Sequence, residues 1–244
     1  MHSSITELYR VFKSYRLGDD FSGCECCVSG DDSERLASSP LSELTVEDLN
    51  RFAFKSMTTW GDVRHFKHFL PRLLELALDD YESFNDPEVL LGKLAYAKWK
   101  TWPNYEQTAV NDFLMHFWEV QLSKTGRFPN DTQINTVLGG LANACHSIRD
   151  YLDLWIQIRT SAASLHLCQF VDTSVDEIIM NRRIRLLWGN PSKPTKELLE
   201  WISSDAVREY LDETRSDTNH QFPLVFEQLS GIRSRFLEEE SEIQ

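Results

Sequence analysis

An apolar stripe with helical period recurs in almost every segment of this chain, and it constrains the fold more than any other feature. Ile5, Leu8, Tyr9 and Phe12 repeat at i, i+3, i+4 and i+7, which leaves Arg10, Lys13 and Arg16 off the stripe. The same period runs through Val63, Phe66, Phe69, Leu70, Leu73 and Ala77, and through Val110, Phe113, Leu114, Phe117 and Val120. It returns in Ile134, Val137, Leu138, Leu141, Ala142 and Cys145, and again from Ile148 through Tyr151 and Leu152 to Trp155. Two short helices are expected near 196–203 and 205–214. Thr218 with Gln221 announces a last one carrying Phe222, Val225, Phe226, Leu229, Ile232 and Phe236.

Local signals place several helix ends. Thr45 with Asp48 reads as an N-cap pair, with Leu44 and Leu49 set as a hydrophobic staple. Asp86-Pro87-Glu88 opens a helix with proline at its first position, and Ser174 with Glu177 reads as a capping box. Pro71 lacks an N–H and clashes with the preceding turn, so it predicts a kink or the start of a second helix. Strand signals reduce to Leu165–Val171, which has no partner run and no hairpin turn beside it. The expected fold is all-α, with about ten helices in an irregular bundle or a short solenoid of helix pairs.

A chain of 244 residues, 41% of them hydrophobic, is expected to form a single domain over 1–244. Its net charge of −13 is unevenly spread: residues 17–45 carry −6 and the last eight carry −4, leaving −3 for the rest. Gly18, Gly23, Gly30 and the acids of 17–40 predict an irregular, poorly packed segment, and 237–244 reads as a solvated acidic tail. No window approaches the ~18 consecutive apolar residues of a membrane span. The N-terminus has no apolar core of a secretory signal. Acidity opposes non-specific nucleic-acid binding, which depends on neutralising phosphates. An odd count of five cysteines argues against a disulfide scaffold and for reduced thiols, hence a cytoplasmic setting.

The chain lacks the sequence signatures of P-loops, dinucleotide folds, zincins, nucleophile elbows and EF-hands. The sharpest local feature is Cys24-Glu-Cys26-Cys27. Three thiolates within four residues can supply three ligands to a tetrahedral zinc, with His65 or His68 the nearest fourth. Against this, the spacing is not Cys-x-x-Cys, and adjacent cysteines reach one ion only with backbone strain, so free thiols are the favoured reading. A second feature is a polar strip of His68, Arg72, Glu75 and Asp79 at helical spacing. It offers a base, an anion clamp and carboxylates, but reads better as a solvent-facing side laced with ion pairs, unless another element covers it.

Other groupings carry less. Asp112, His116 and Glu119 share a helix side but lack the Glu-x-x-His pattern of di-iron bundles. Cys145 and His146 point about 100° apart on a helix, so Cys145 reads as core. Tyr96, Lys98, Trp99, Lys100 and Trp102 interleave bases with aromatics as a single-strand platform does, and Arg182, Arg183 and Arg185 lie near Trp188. Core packing is the better account of the aromatics.

Thr58-Thr-Trp60-Gly61-Asp62 followed by His68-Phe-Leu-Pro71-Arg72-Leu-Leu-Glu75-Leu resembles a segment of a group of uncharacterised bacterial proteins. That group also begins with a Cys-x-Cys-Cys run ahead of a Pro-Leu-x-x-Leu turn, like Pro40-Leu41-Ser-Glu-Leu44 here. The resemblance covers about residues 24–78 and implies a bacterial cytoplasmic protein with no assigned activity. It draws attention to Cys24, Cys26, Cys27, His68 and Arg72. The expected function is a non-enzymatic protein-interaction module, an adaptor or immunity-type protein with a protein partner and no cofactor. The alternative is a metal-dependent enzyme or regulator that joins the cysteines to the His68/Arg72 strip.

Overall fold

The structure, a computed structural model, describes residues 3–80, 87–124, 133–175 and 192–214, and among the described residues it has eleven α-helices and no strand. Glu177, Met180, Val225, Glu227 and Gly231 are described singly. The helices are α1 (Ser3–Phe12), α2 (Gly30–Ser38), α3 (Val46–Lys55), α4 (Val63–Asp80), α5 (Pro87–Tyr96) and α6 (Asn104–Ser123). They continue as α7 (Gln133–Ala144), α8 (Arg149–Gln157), α9 (Ser161–Phe170), α10 (Ser192–Ile202) and α11 (Asp205–Glu213). The fold is all-α, of the helical-bundle class. Among the described residues no helix is long and apolar enough to cross a membrane.

The chain divides into two compact units, Met1–Phe117 and Trp118–Gln244, with the division inside α6. In the first unit α1 packs along α4, and α3 packs on α4 and α5. Its core holds Leu8, Phe12, Phe52, Trp60, Phe66, Phe69, Leu73 and Phe113, all nearly inaccessible to water. The predicted cap of α3 forms as a reciprocal box: Thr45 Oγ1 accepts from the Asp48 N–H, and Asp48 accepts from the Thr45 N–H.

In the second unit α8 packs against α10 and α11, and α7 and α11 pack on α9. Trp118, Trp155, Trp201 and Phe170 gather in its interior. Glu197 of α10 stops the open end of α8, one oxygen accepting from the Ile148 N–H and the other from Ser147 Oγ, both at 2.7 Å.

Several expectations need correction. The segment 17–40 is not irregular throughout, because Gly30–Ser38 is helical. Ser29 and Asp32 close a capping box at its start, and Phe21, Val28 and Leu36 are buried. Helix α4 runs through Pro71 instead of restarting there. Val63 lies exposed at its first turn, while His65 and Lys67 go inside in its place. Leu165–Val171 is helical, not extended. Ser174 is no N-cap: it sits in a π-helical turn, Val171–Val175, and its hydroxyl accepts from Asn135 Nδ2. The expected terminal helix, the acidic tail, Asp86 and the Arg182–Trp188 patch lie outside the described residues.

Candidate functional site

The three cysteines share one turn whose shape is set from a distance. Gly23 bridges Trp60, the Cys24 N–H donates to the Thr59 carbonyl at 2.7 Å, and the Gly61 N–H donates back to the Ser22 carbonyl at 3.0 Å. Within the turn the Cys27 and Val28 N–H groups both donate to the Cys24 carbonyl at 2.8 Å. Arg51 of α3 ties the far side, with one arm on the Cys27 carbonyl at 2.5 Å and the other on Asp32 at 2.7 Å. Asp32 completes the capping box of α2 with Ser29, so the turn and that helix are held by one guanidinium.

Held this way, the side chains converge. Cys24 Sγ lies 2.9 Å from Cys26 Sγ, Cys26 Sγ lies 3.4 Å from Cys27 Sγ, and all three sulfurs fall within 4.8 Å of one another. The obstacle foreseen for adjacent cysteines is removed by the turn at Cys24–Val28, which folds the two Sγ atoms to the same side. Cys24 and Cys26 are exposed and Cys27 is partly so. The Cys26 thiol hydrogen-bonds to Cys24, which lowers the Cys24 pKa below the ordinary thiol value, aided by the backbone N–H of Cys26. The same contact, with that to Cys27, pushes Cys26 up to about 11. The turn therefore sets a thiol with a lowered pKa beside one whose pKa is raised.

Neither histidine expected to close a zinc site is there. Among the described residues no histidine or carboxylate joins the three sulfurs. His65 is 2% exposed and packs on Phe21 at 5.2 Å. Its Nδ1 accepts the Asp62 N–H at 3.1 Å while Asp62 Oδ1 accepts the His65 N–H at 3.0 Å, a capping box with histidine in the place of glutamate. The demand of the α4 N-terminus takes the ring away from the turn. His68 Nδ1 lies 2.9 Å from the Tyr15 carbonyl, on the side of α1.

The polar strip is covered, not solvent-facing, over most of its length. Tyr9 of α1 donates to Glu75 at 2.7 Å, Arg72 bonds the Leu44 carbonyl and Glu75, each at 2.7 Å, and His68 is half-buried. Only Asp79 stands exposed. The strip thus cements α1 and the segment before α3 onto α4, apart from the cysteines. Burial, with the Arg16 charge opposing a second one, lowers the His68 pKa below its ordinary value.

Sequence reasoning missed a polar centre beneath this strip. Lys67 Nζ donates to Glu106 Oε2 at 2.6 Å and to the Tyr15 hydroxyl at 3.0 Å, and that hydroxyl in turn donates to Glu106 Oε1 at 2.7 Å. The ammonium also sits 4.2 Å from the Trp102 ring centre. Trp102 and Trp99 are buried, so the aromatic run at 96–102 is core and leaves Tyr96 alone exposed. A signal was present: Lys67 lies in register with Leu70, Pro71 and Leu74, and Glu106 with Ala109, Val110 and Phe113.

Comparison with protein-family models, curated proteins and solved structures gives no match for this chain. The site is therefore read from its own geometry.

One substitution tests how the turn is held. A Cβ at Gly23 would lie 2.5 Å from Val28 Cβ and under 3 Å from both its methyls, and Val28 is a buried, β-branched side chain that cannot rotate away. Gly23→Ala is expected to cost about 1–3 kcal/mol in urea unfolding. Gly30→Ala, where a Cβ meets open space, is expected to be neutral or to stabilise by a few tenths of a kcal/mol.

Proposed function

We propose that this chain is a non-enzymatic interaction protein whose contact point is a zinc ion held by Cys24, Cys26 and Cys27, with the fourth tetrahedral position left for a ligand from a partner protein. The observation that carries this reading is the convergence of three sulfurs on a turn pinned to the body. Tetrahedral zinc with Zn–S near ~2.3 Å needs sulfurs about 3.8 Å apart, and separations of 2.9 and 3.4 Å reach that value with small side-chain rotations. The exposure of Cys24 and Cys26 favours a ligand from outside over one from the chain itself. An ion there deprotonates its thiols outright, so the raised Cys26 pKa is overcome on binding, and affinity rises with pH as protons are released. A reducing compartment keeps such thiols available. The separation of the cysteines from His68 and Arg72 removes the support for a joint catalytic centre.

The test is titration of reduced, metal-free protein with zinc and, for its spectrum, cobalt(II). The expected result is one ion per chain, a thiolate-to-cobalt charge-transfer band, and loss of both in Cys26→Ser. Added imidazole is expected to change the cobalt spectrum, as it does where a coordination position is open. Substoichiometric binding, or a full ion retained after all three cysteines are changed to serine, overturns the metal site. A cobalt spectrum indifferent to imidazole overturns the open position.

A further inference from the structure

A cavity of about 440 Å³ opens between the end of α1, the 3-10 turn Leu41–Glu43 and the middle of α4. This is within the range of small-molecule sites. Its lining is unlike the rest of the chain. The protein carries a net −13, yet among the described residues no carboxylate lines this cavity, while Lys13 and Arg16 both do. Of the nine described arginines, eight are ion-paired to a carboxylate, and Arg16 is the one that has no such partner among the described residues. Lys13 has no carboxylate partner among the described residues either. In an acidic chain where carboxylates outnumber bases, two cations that line one cavity with no carboxylate partner among the described residues are positioned for an anion from outside.

The remaining wall divides by chemistry. Phe12, Leu41 and Pro71 supply apolar surface. His68 adds a ring whose Nδ1 is 2.9 Å from the Tyr15 carbonyl, so that nitrogen carries the proton and donates it. Its Nε2 has no partner among the described residues. The ring is fixed by that bond and by an edge contact on Phe69 at 4.8 Å between centres. Behind the wall, the Lys67–Glu106–Tyr15 centre holds the backbone end of the site: Tyr15 is bonded through its hydroxyl to Glu106 and through its carbonyl to His68. The site thus forms where the segment after α1 and the Leu41–Glu43 turn meet α4, and Tyr15 anchors that segment from behind through buried polar contacts.

We infer that this cavity binds a small organic anion, its phosphate or carboxylate head between Lys13 and Arg16 and its apolar body against Phe12, Leu41 and Pro71. The guanidinium offers two parallel N–H donors to two oxygens of such a head, and the ammonium adds a point charge. This site is separate from the thiol turn and stands whether or not that turn holds metal.

Isothermal titration of the full chain with phenyl phosphate and with benzoate tests the inference and distinguishes the two heads. Saturable one-to-one binding of at least one of them is expected, weakening as salt is raised, with phenol giving none. Arg16→Gln is expected to weaken binding on the order of tenfold, the effect of one lost charge-assisted contact, and Lys13→Gln by less. Both side chains are exposed, so these variants keep the fold, which circular dichroism checks. Arg10→Gln, in the last turn of α1 but paired to Glu7 and outside the cavity, serves as control and leaves affinity unchanged. Absence of saturable binding for both anions overturns the inference, as does equal affinity in the wild type and the Lys13→Gln/Arg16→Gln double variant.

Discussion

Glu106→Gln is expected to lower the stability of the protein by about 3–5 kcal/mol, although it changes one atom. Glu106 is completely buried and Lys67 nearly so, and their 2.6 Å contact is what neutralises each in the interior. The amide keeps the shape and can still bond Tyr15, but it leaves an ammonium without a counter-charge, and breaking a buried pair from one side costs that much. The cation–π contact with Trp102 at 4.2 Å offsets only part, since such contacts contribute about 0.5–2 kcal/mol. The double variant Lys67→Met/Glu106→Leu removes both charges and fills the space with apolar atoms, and it is expected to recover most or all of the loss. Urea unfolding of the three proteins decides the matter. A Glu106→Gln cost below 1 kcal/mol, or a double variant worse than the single, would mean that the pair is hydrated.

That pair also marks where the sequence stopped being legible. A lysine or a glutamate on an apolar stripe has the same pattern as a stripe that frays by one position, and only the partner on a distant helix tells the two apart. Lys67 and Glu106 stand 39 residues apart in sequence, so neither position announces the other. The polar strip shows the same limit from the opposite side. The helical period gave the angular position of His68, Arg72 and Glu75 correctly, but not that α1 would lie over them with Tyr9 and Tyr15. Helix α3 was legible to the residue at its cap because a capping box is local: Thr45 and Asp48 need only each other. Helix α2 was missed because its sole buried apolar residue is Leu36, too little to draw a stripe. Its helix is fixed instead by the Ser29–Asp32 box and by Arg51 from another helix. The cysteine turn follows this logic too. The spacing of Cys24, Cys26 and Cys27 is unpromising along the chain, and the contacts that fold them together come from Thr59, Trp60 and Gly61, more than 30 positions on.

The largest effect in the second unit is expected from Trp155. This ring is fully buried, stacks on Trp201 at 5.6 Å, meets Trp118 edge-on at 5.2 Å and Phe170 at 5.7 Å, and donates its N–H to the Ala163 carbonyl at 2.9 Å. Four helices, α6, α8, α9 and α10, therefore meet on one side chain. Trp155→Ala removes the ring from a site walled by other rigid rings, which cannot collapse into the space as flexible aliphatic chains would. The cost is expected at about 3–5 kcal/mol, at the upper end of large-to-small core changes. Trp155→Phe separates the contributions: it keeps most of the aromatic surface and loses the buried hydrogen bond to the Ala163 carbonyl, for about 1–3 kcal/mol. Because the indoles of Trp118, Trp155 and Trp201 lie within stacking or edge distance, near-ultraviolet circular dichroism reports on the cluster directly. It is expected to fall sharply in Trp155→Ala while the far-ultraviolet helical signal persists. A loss below about 1.5 kcal/mol for the alanine variant would show that the surrounding rings repack, and that helix packing in this unit does not depend on a single anchor.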